Sequence, residues 1–155
     1  MARGIRELED AILALLAPLK AQFPRLVLDT YAQELDAEDA QRLAGRAPAL
    51  LVVYSGSRES GPGQRRAETL TWTVFVLARS WRDGEERRGG PDQPGAYALL
   101  DALRAALAGR QPFEDAGPLA FERQQALVFA QGLVVYAAAY GLTQHRLPWE
   151  GGMPE

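Results

Sequence analysis

The spacing of apolar positions switches between helical and alternating along this chain, and each switch marks an element. Leu8, Ile12, Leu15, Leu16 and Leu19 recur three or four residues apart, with Arg6, Glu7, Glu9 and Asp10 mostly off that stripe. This predicts an amphipathic helix over Gly4 to Gln22 that packs on a sheet. Pro18 removes a backbone donor and so kinks or shortens its last turn, and Pro24 stops it. Arg25 to Tyr31 reads as a first strand. Asp36 is placed to cap a short helix over Ala37 to Leu43, with Asp39 in its first turn and Gly45 as its C-cap. Ala49 to Tyr54 is a continuous apolar run, the pattern of a strand buried on both faces.

The longest β-branched and aromatic run is Thr69 to Trp81, and it predicts the central strand. Leu70, Trp72, Val74, Val76 and Ala78 fall on one face, a core face. Thr71, Thr73, Phe75 and Leu77 fall on the other, a mixed face suited to partial cover by another sheet or subunit. Polar, glycine-rich stretches bracket this strand, Gly56 to Ala67 before it and Arg82 to Gln93 after it, and both read as projecting loops on one sheet edge. A second helix is predicted over Gly95 to Ala108, with Ala96, Leu99, Leu100, Leu103 and Leu107 as its stripe and Gly109 as its cap. Leu119 to Phe129 and Leu133 to Gln144 then form a hairpin about Ala130-Gln131-Gly132. The order α-β-(α)-β-β-α-β-β, with short links, implies an α+β fold: a mostly antiparallel twisted sheet with both main helices on one face. Residues 1–145 are expected to form one domain. The segment 146–155 has no periodicity, and Trp149 is its candidate anchor on a partner.

Composition narrows the function classes without choosing among them. The 155 residues are 47% hydrophobic and 24% charged, with a net charge of −3, which gives no global electrostatic reason to bind nucleic acid. There is no cysteine, hence no disulfide and no thiol chemistry. The most apolar stretch, Leu133 to Leu142, falls short of the roughly 20 residues a membrane helix needs. His145 is the lone histidine, so zinc would have to rely on carboxylates almost alone, and a Ser-His-Asp triad has no serine in a nucleophile-elbow pattern. Lys20 is the lone lysine and lies on the first helix, which excludes a Walker loop. Gln64-Arg65-Arg66 follows Gly61-Pro62-Gly63 where a dinucleotide fingerprint would place its third glycine. These readings predict no catalytic residue, no metal and no cofactor. Asp and Glu are plentiful enough that a glycosidase-like carboxylate pair stays open.

The two loops carry the remaining chemistry. Arg65, Arg66, Arg87 and Arg88 have the charge to touch DNA phosphates. Glu59, Glu68, Asp83, Glu85, Glu86 and Asp92 are interspersed and make the field mixed in sign, which suits a solvated loop or a complementary protein surface better. The candidate partner contacts are therefore Arg58, Glu59, Arg65, Arg66, Arg82, Asp83, Glu85, Glu86, Arg87 and Arg88, with Thr73 on the mixed strand face and Trp149 in the tail.

The series resembles a known family. The first helix is followed by Leu35-Asp-Ala-Glu-Asp-Ala-Gln-Arg-Leu43, then Ala47-Pro-Ala-Leu-Leu-Val-Val-Tyr-Ser-Gly56 and the central strand. Gly95-Ala-Tyr-Ala-Leu-Leu-Asp-Ala-Leu-Arg-Ala-Ala-Leu-Ala-Gly109 and a hairpin containing Val134-Val-Tyr136 complete it. From about Ile5 to Gln144 this resembles the small tail protein of Mu-like contractile-tailed phages and prophages, of the tail-terminator kind. The resemblance implies a ring, in general a hexamer, at the head-proximal end of the tail tube. Such a ring stops tube and sheath polymerisation and meets a head-side connector, with genomic DNA passing only as cargo and no membrane involved. The implied location is the neck-proximal tail of a virion, assembled in the host cytoplasm. A head–tail connector of the same virion is the alternative, and a soluble α+β enzyme or ligand-binding domain the more distant one.

Overall fold

A computed structural model describes residues 3–31, 37–60, 67–80, 85–90, 94–114, 116–130 and 132–145. The amphipathic stripe folds as α1, Ile5–Leu16, and a separate turn of helix α2, Leu19–Gln22, so the chain breaks at Ala17-Pro18 rather than merely bending there. Leu8, Ile12, Leu16 and Leu19 are all buried, as their spacing requires. Strand β1, Val27–Thr30, follows, then α3, Ala37–Leu43, and a 3-10 turn, Ala44–Arg46. Gly45 sits inside that turn and is not a C-cap, which corrects the expectation from sequence; Asp36, the expected cap, lies outside the described residues.

The sheet is built from β1, β2 (Ala49–Ser60), β3 (Ala67–Arg79), β4 (Ala120–Ala130) and β5 (Leu133–His145), in the order β1-β2-β3-β5-β4. The β1-β2 pair is parallel and the other three pairs are antiparallel. This agrees with the expected mostly antiparallel sheet. Between β3 and β4 lie a short helix α4, Glu85–Arg88, and the second main helix α5, Ala96–Leu107. Gly109, at φ +76°, turns the chain out of α5, and its N–H donates to the Leu119 carbonyl at 2.7 Å.

Both main helices pack on one face of the sheet. Leu70, Trp72, Val74, Val76 and Ala78 of β3 meet Leu8, Ile12 and Leu16 of α1 and Leu99, Leu103 and Leu107 of α5 in one core. The opposite face carries a second, smaller core. There Leu51, Phe75, Leu77 and Val135 are buried beneath Leu43, Ala44 and Ala47. The mixed face of β3 is thus covered at this end by α3 and the 3-10 turn of the same chain, where the sequence suggested another sheet or subunit.

The expected loop from Gly56 is also shorter than its composition suggested. β2 runs on to Ser60, paired with β3 down to Ser60 opposite Ala67. Gly56, Ser57 and Arg58 are poor strand formers alone, and the long partner strand supplies their hydrogen bonds. A bulge between Tyr54 and Gly56 marks the transition, and Gly56 takes φ +134°, a conformation that favours glycine.

Candidate assembly surfaces

The face of the sheet left uncovered by α3 is flat, with small side chains along β3 and β5. Opposite residues in an antiparallel pair point the same way. The register therefore aligns Thr69, Thr71 and Thr73 of β3 with Thr143, Gly141 and Ala139 of β5. Hydroxyls tie these strands across the surface. Thr69 and Thr143 share a hydrogen bond at 2.9 Å, and Thr73 shares one with Ser55 of the bulge at 2.5 Å. Thr71 and Thr73 are half-buried. Gln125 and Arg123 of β4 extend the surface, opposite Ala137 and Ala139.

Two stretches of strand edge border the molecule. β1 pairs with β2 only over Ala49 to Val52, so among the described residues no strand neighbours the outer edge of β2 from Val53 to Ser60. β4 is the other edge, and most of its described side chains are exposed. Leu127 and Phe129 on it are 38% and 56% exposed, large values for apolar groups. Phe129 stands edge-on to Tyr136 with ring centres 5.9 Å apart, and Tyr136 stands edge-on to Tyr97 of α5 at 6.4 Å. A long edge strand with exposed apolar side chains is a template for pairing with another chain.

The residues singled out from sequence fall into two separate groups. Arg58 and Glu59 lie on the distal half of β2, both exposed, and their opposite partners are Thr69 and Glu68. Arg58 therefore shares the flat face with Thr73, and Glu59 points to the helix side. Glu85, Glu86, Arg87 and Arg88 form α4, beyond the other end of β3. Ser80 Oγ donates to Glu85 Oε1 at 3.5 Å, Arg87 Nε lies 3.8 Å from Glu86 Oε1, and the Arg87 guanidinium lies 5.9 Å from the Phe129 ring centre. Part of the second loop is therefore folded onto the sheet end. Because β3 separates the groups by its full 13 residues, they stand about 40 Å apart. The expectation that both loops share one sheet edge is overturned: an antiparallel hairpin puts the β2-β3 link at one end of β3 and whatever follows β3 at the other. Arg65, Arg66, Arg82, Asp83 and Trp149 lie outside the described residues.

Two features of these surfaces went unpredicted. The sequence marks the β4 edge with Leu127 and Phe129 only as half of a hairpin, and nothing in it says which strand becomes the border. The junction of Arg3, Phe113 and Gln144 was not foreseen either, since it joins residues 141 positions apart. Among the described residues, no cluster of three or more His, Asp or Glu side chains converges to hold a metal ion. No helix among them is long and apolar enough to cross a membrane.

The fold is shared with a chain of the virion of a native gene transfer agent (GTA) particle, at a TM-score of 0.52 and 11% sequence identity, covering 90% of this chain and 92% of that one. No curated protein matches the sequence. The family model described as Bacteriophage Mu, Gp37 matches residues 4–145, and the chain belongs to that family.

Proposed function

We propose that this protein is a structural virion protein that caps the head-proximal end of a phage-type tail tube. In that role it ends tube and sheath polymerisation and presents a surface to the head-side connector. The family match over residues 4–145 is the observation that carries the virion assignment, and the fold shared with a virion chain supports it. The capping role rests on the resemblance to tail terminators and on the shape of the surfaces. A closed ring needs two different patches per subunit, each meeting the other on a neighbour. The β4 edge with Leu127 and Phe129 and the flat threonine face with the free edge of β2 are two such patches. We assign a homomeric ring, with six copies as the working stoichiometry, and tube, sheath and connector proteins as partners. DNA passes as cargo, assembly takes place in the host cytoplasm, and no enzymatic activity or cofactor is assigned.

Deleting the gene from a producing phage or prophage tests this by negative-stain microscopy. Overlong or ragged tubes are expected. Tails of normal length that fail to join heads would move the protein to the connector position. Light scattering on the purified protein is expected to give a ring, or a monomer that becomes one on added tube protein.

A further inference from the structure

The two borders of the sheet carry opposite charges at one end and apolar groups at the other. The strand registers fix the level of each residue along the sheet. Arg58 of β2 is opposite Thr69 of β3, which is opposite Thr143 of β5. On the far border, Glu122 sits in the bulge of β4 between Phe121, opposite Tyr140, and Arg123, opposite Ala139. The Glu122 carboxylate shares the space in front of Gly141 with the Thr69 methyl, which places it on the flat threonine face with Arg58. Gly141 is two residues from Thr143, so the two charges differ in level by about 7 Å. Both side chains are exposed. Arg123 is level with Thr73, about 14 Å from the level of Arg58, so attraction between Arg58 and Glu122 outweighs repulsion from Arg123. At the other end of the same border, Phe129 is opposite Val134 on the helix face and is 56% exposed. Leu28, on the β1 border, packs with Phe23 on the helix-side core, and both are half-buried. The register carries Leu28 through Leu50 and Val76 to Tyr136, two residues from Val134, so Phe129 and Leu28 also differ in level by about 7 Å.

We propose that a second copy of this chain stands beside the first in the same orientation, with Glu122 of one subunit paired to Arg58 of the next and Phe129 of the first packed on Phe23 and Leu28 of the next. The contact rests on the ring reading above and names the residues that close it. Three features select a second copy. First, the charges on the two borders are opposite and lie on one face at nearly one level, and the apolar groups match in the same way at the other end. Second, a rotation about an axis along the strands leaves every residue at its own level, as a closed ring requires. Third, the borders cannot satisfy each other within one subunit, because β2 and β4 are separated by β3 and β5, three strand spacings or about 14 Å. Bulges between Phe121 and Arg123 and between Ala126 and Val128 bend the β4 border, so side chains carry the contact rather than an unbroken backbone ladder.

The absence of native cysteine gives a clean test. The full chain carrying Arg58→Cys and Glu122→Cys is oxidised at high concentration and its unreduced products are resolved by mass. A ladder of covalent oligomers is expected, with a yield at least about tenfold above that of an Arg58→Cys, Gln125→Cys control, because the contact raises the local concentration of the first pair. Gln125 shares the strand and the face but is level with Phe75, about 20 Å from the level of Arg58. Neither pair can close within one subunit, since a disulfide needs Cα atoms within about 7 Å. Equal yields from the two proteins would overturn the proposal. So would a covalent homodimer of the Glu122→Cys single variant, which would set β4 against β4 in a two-fold pair. A cysteine-free readout accompanies it: Arg58→Glu and Glu122→Arg are each expected to lower the mass seen by light scattering while melting like the parent protein, and the double reversal is expected to restore it. A double reversal that stays as small as the singles would sink the idea. The capping role stands or falls separately. A ladder together with normal tail length in the deletion strain keeps the contact and removes the role, and overlong tails with equal cross-linking yields do the reverse.

Discussion

Trp72 and Tyr140 stand opposite each other on β3 and β5, both almost wholly buried, and each keeps a polar atom inside the core. Among the described residues the Trp72 indole N–H and the Tyr140 hydroxyl have no hydrogen-bond partner. Their rings are well packed: Tyr54 lies 5.3 Å from Trp72 and Phe121 stands 5.6 Å from Tyr140, edge-on. The rings are thus held for their apolar area, at the expense of an unsatisfied donor on each, which costs about 1–3 kcal/mol per group. Tyr140→Phe keeps the ring and removes the hydroxyl, so it is expected to raise stability by about 1 kcal/mol in urea denaturation at neutral pH. Burial also pushes the Tyr140 hydroxyl pKa up to about 12, with Arg104 opposing. The folded state therefore favours the neutral phenol. The associated stability is complete below the unfolded value near 10 and is lost as pH rises toward 12. Between about pH 10 and 12 the parent protein is expected to lose more stability than Tyr140→Phe, and parallel declines would refute this assignment of the hydroxyl.

At the scale of elements, the parts legible in sequence are those whose own period settles them. The α5 stripe and the core face of β3 are buried residue for residue as their spacing predicts, and the α1–α2 stripe is buried except at the half-buried Leu15, because a helix or strand buries the face its period defines. Leu103 has no exposed surface at the centre of α5, and Leu103→Ala is expected to cost about 2–5 kcal/mol in the same denaturation assay. What escaped the sequence depends on partners far along the chain. Phe75 and Leu77 look like an interface from β3 alone, yet Leu43 and Ala44 cover them. The contact of α4 with α5 was equally hidden, and it is very tight at Gly95. A Cβ there would fall 2.2 Å from the Gly89 backbone nitrogen and 2.4 Å from the Arg87 carbonyl oxygen. Gly141 offers a contrast, since a Cβ there meets chiefly the tip of the Glu122 side chain, which can swing away. Gly95→Ala is therefore expected to lower stability by about 1–3 kcal/mol, and Gly141→Ala by well under 1. Equal effects in thermal melts would show that the α4-α5 junction yields as easily as a surface carboxylate.

For the whole molecule, the separation of the two charged groups by the length of β3 changes what the candidate contact residues can do together. A docking event confined to one end of the sheet would engage either the Arg58 end or the α4 group, and not both. The ring proposed above, stacked between a tube and a connector, would engage surfaces on several sides at once. The flat threonine face is the part most sensitive to this distinction. Its residues contribute little to the core: Thr73 is half-buried and its one side-chain hydrogen bond, to Ser55, lies on the surface. Placing a charge there costs the fold about 1 kcal/mol, the loss of that bond. Under a packed neighbour the same charge would be desolvated without a partner, a far larger penalty. Thr73→Glu is thus expected to melt within a few degrees of the parent protein while failing to form rings in light scattering and failing to restore tail length in a deletion strain. A Thr73→Glu protein that assembles and caps tails normally would remove this face from the interface and leave the β4 edge, with Leu127 and Phe129, as the remaining candidate for ring contact.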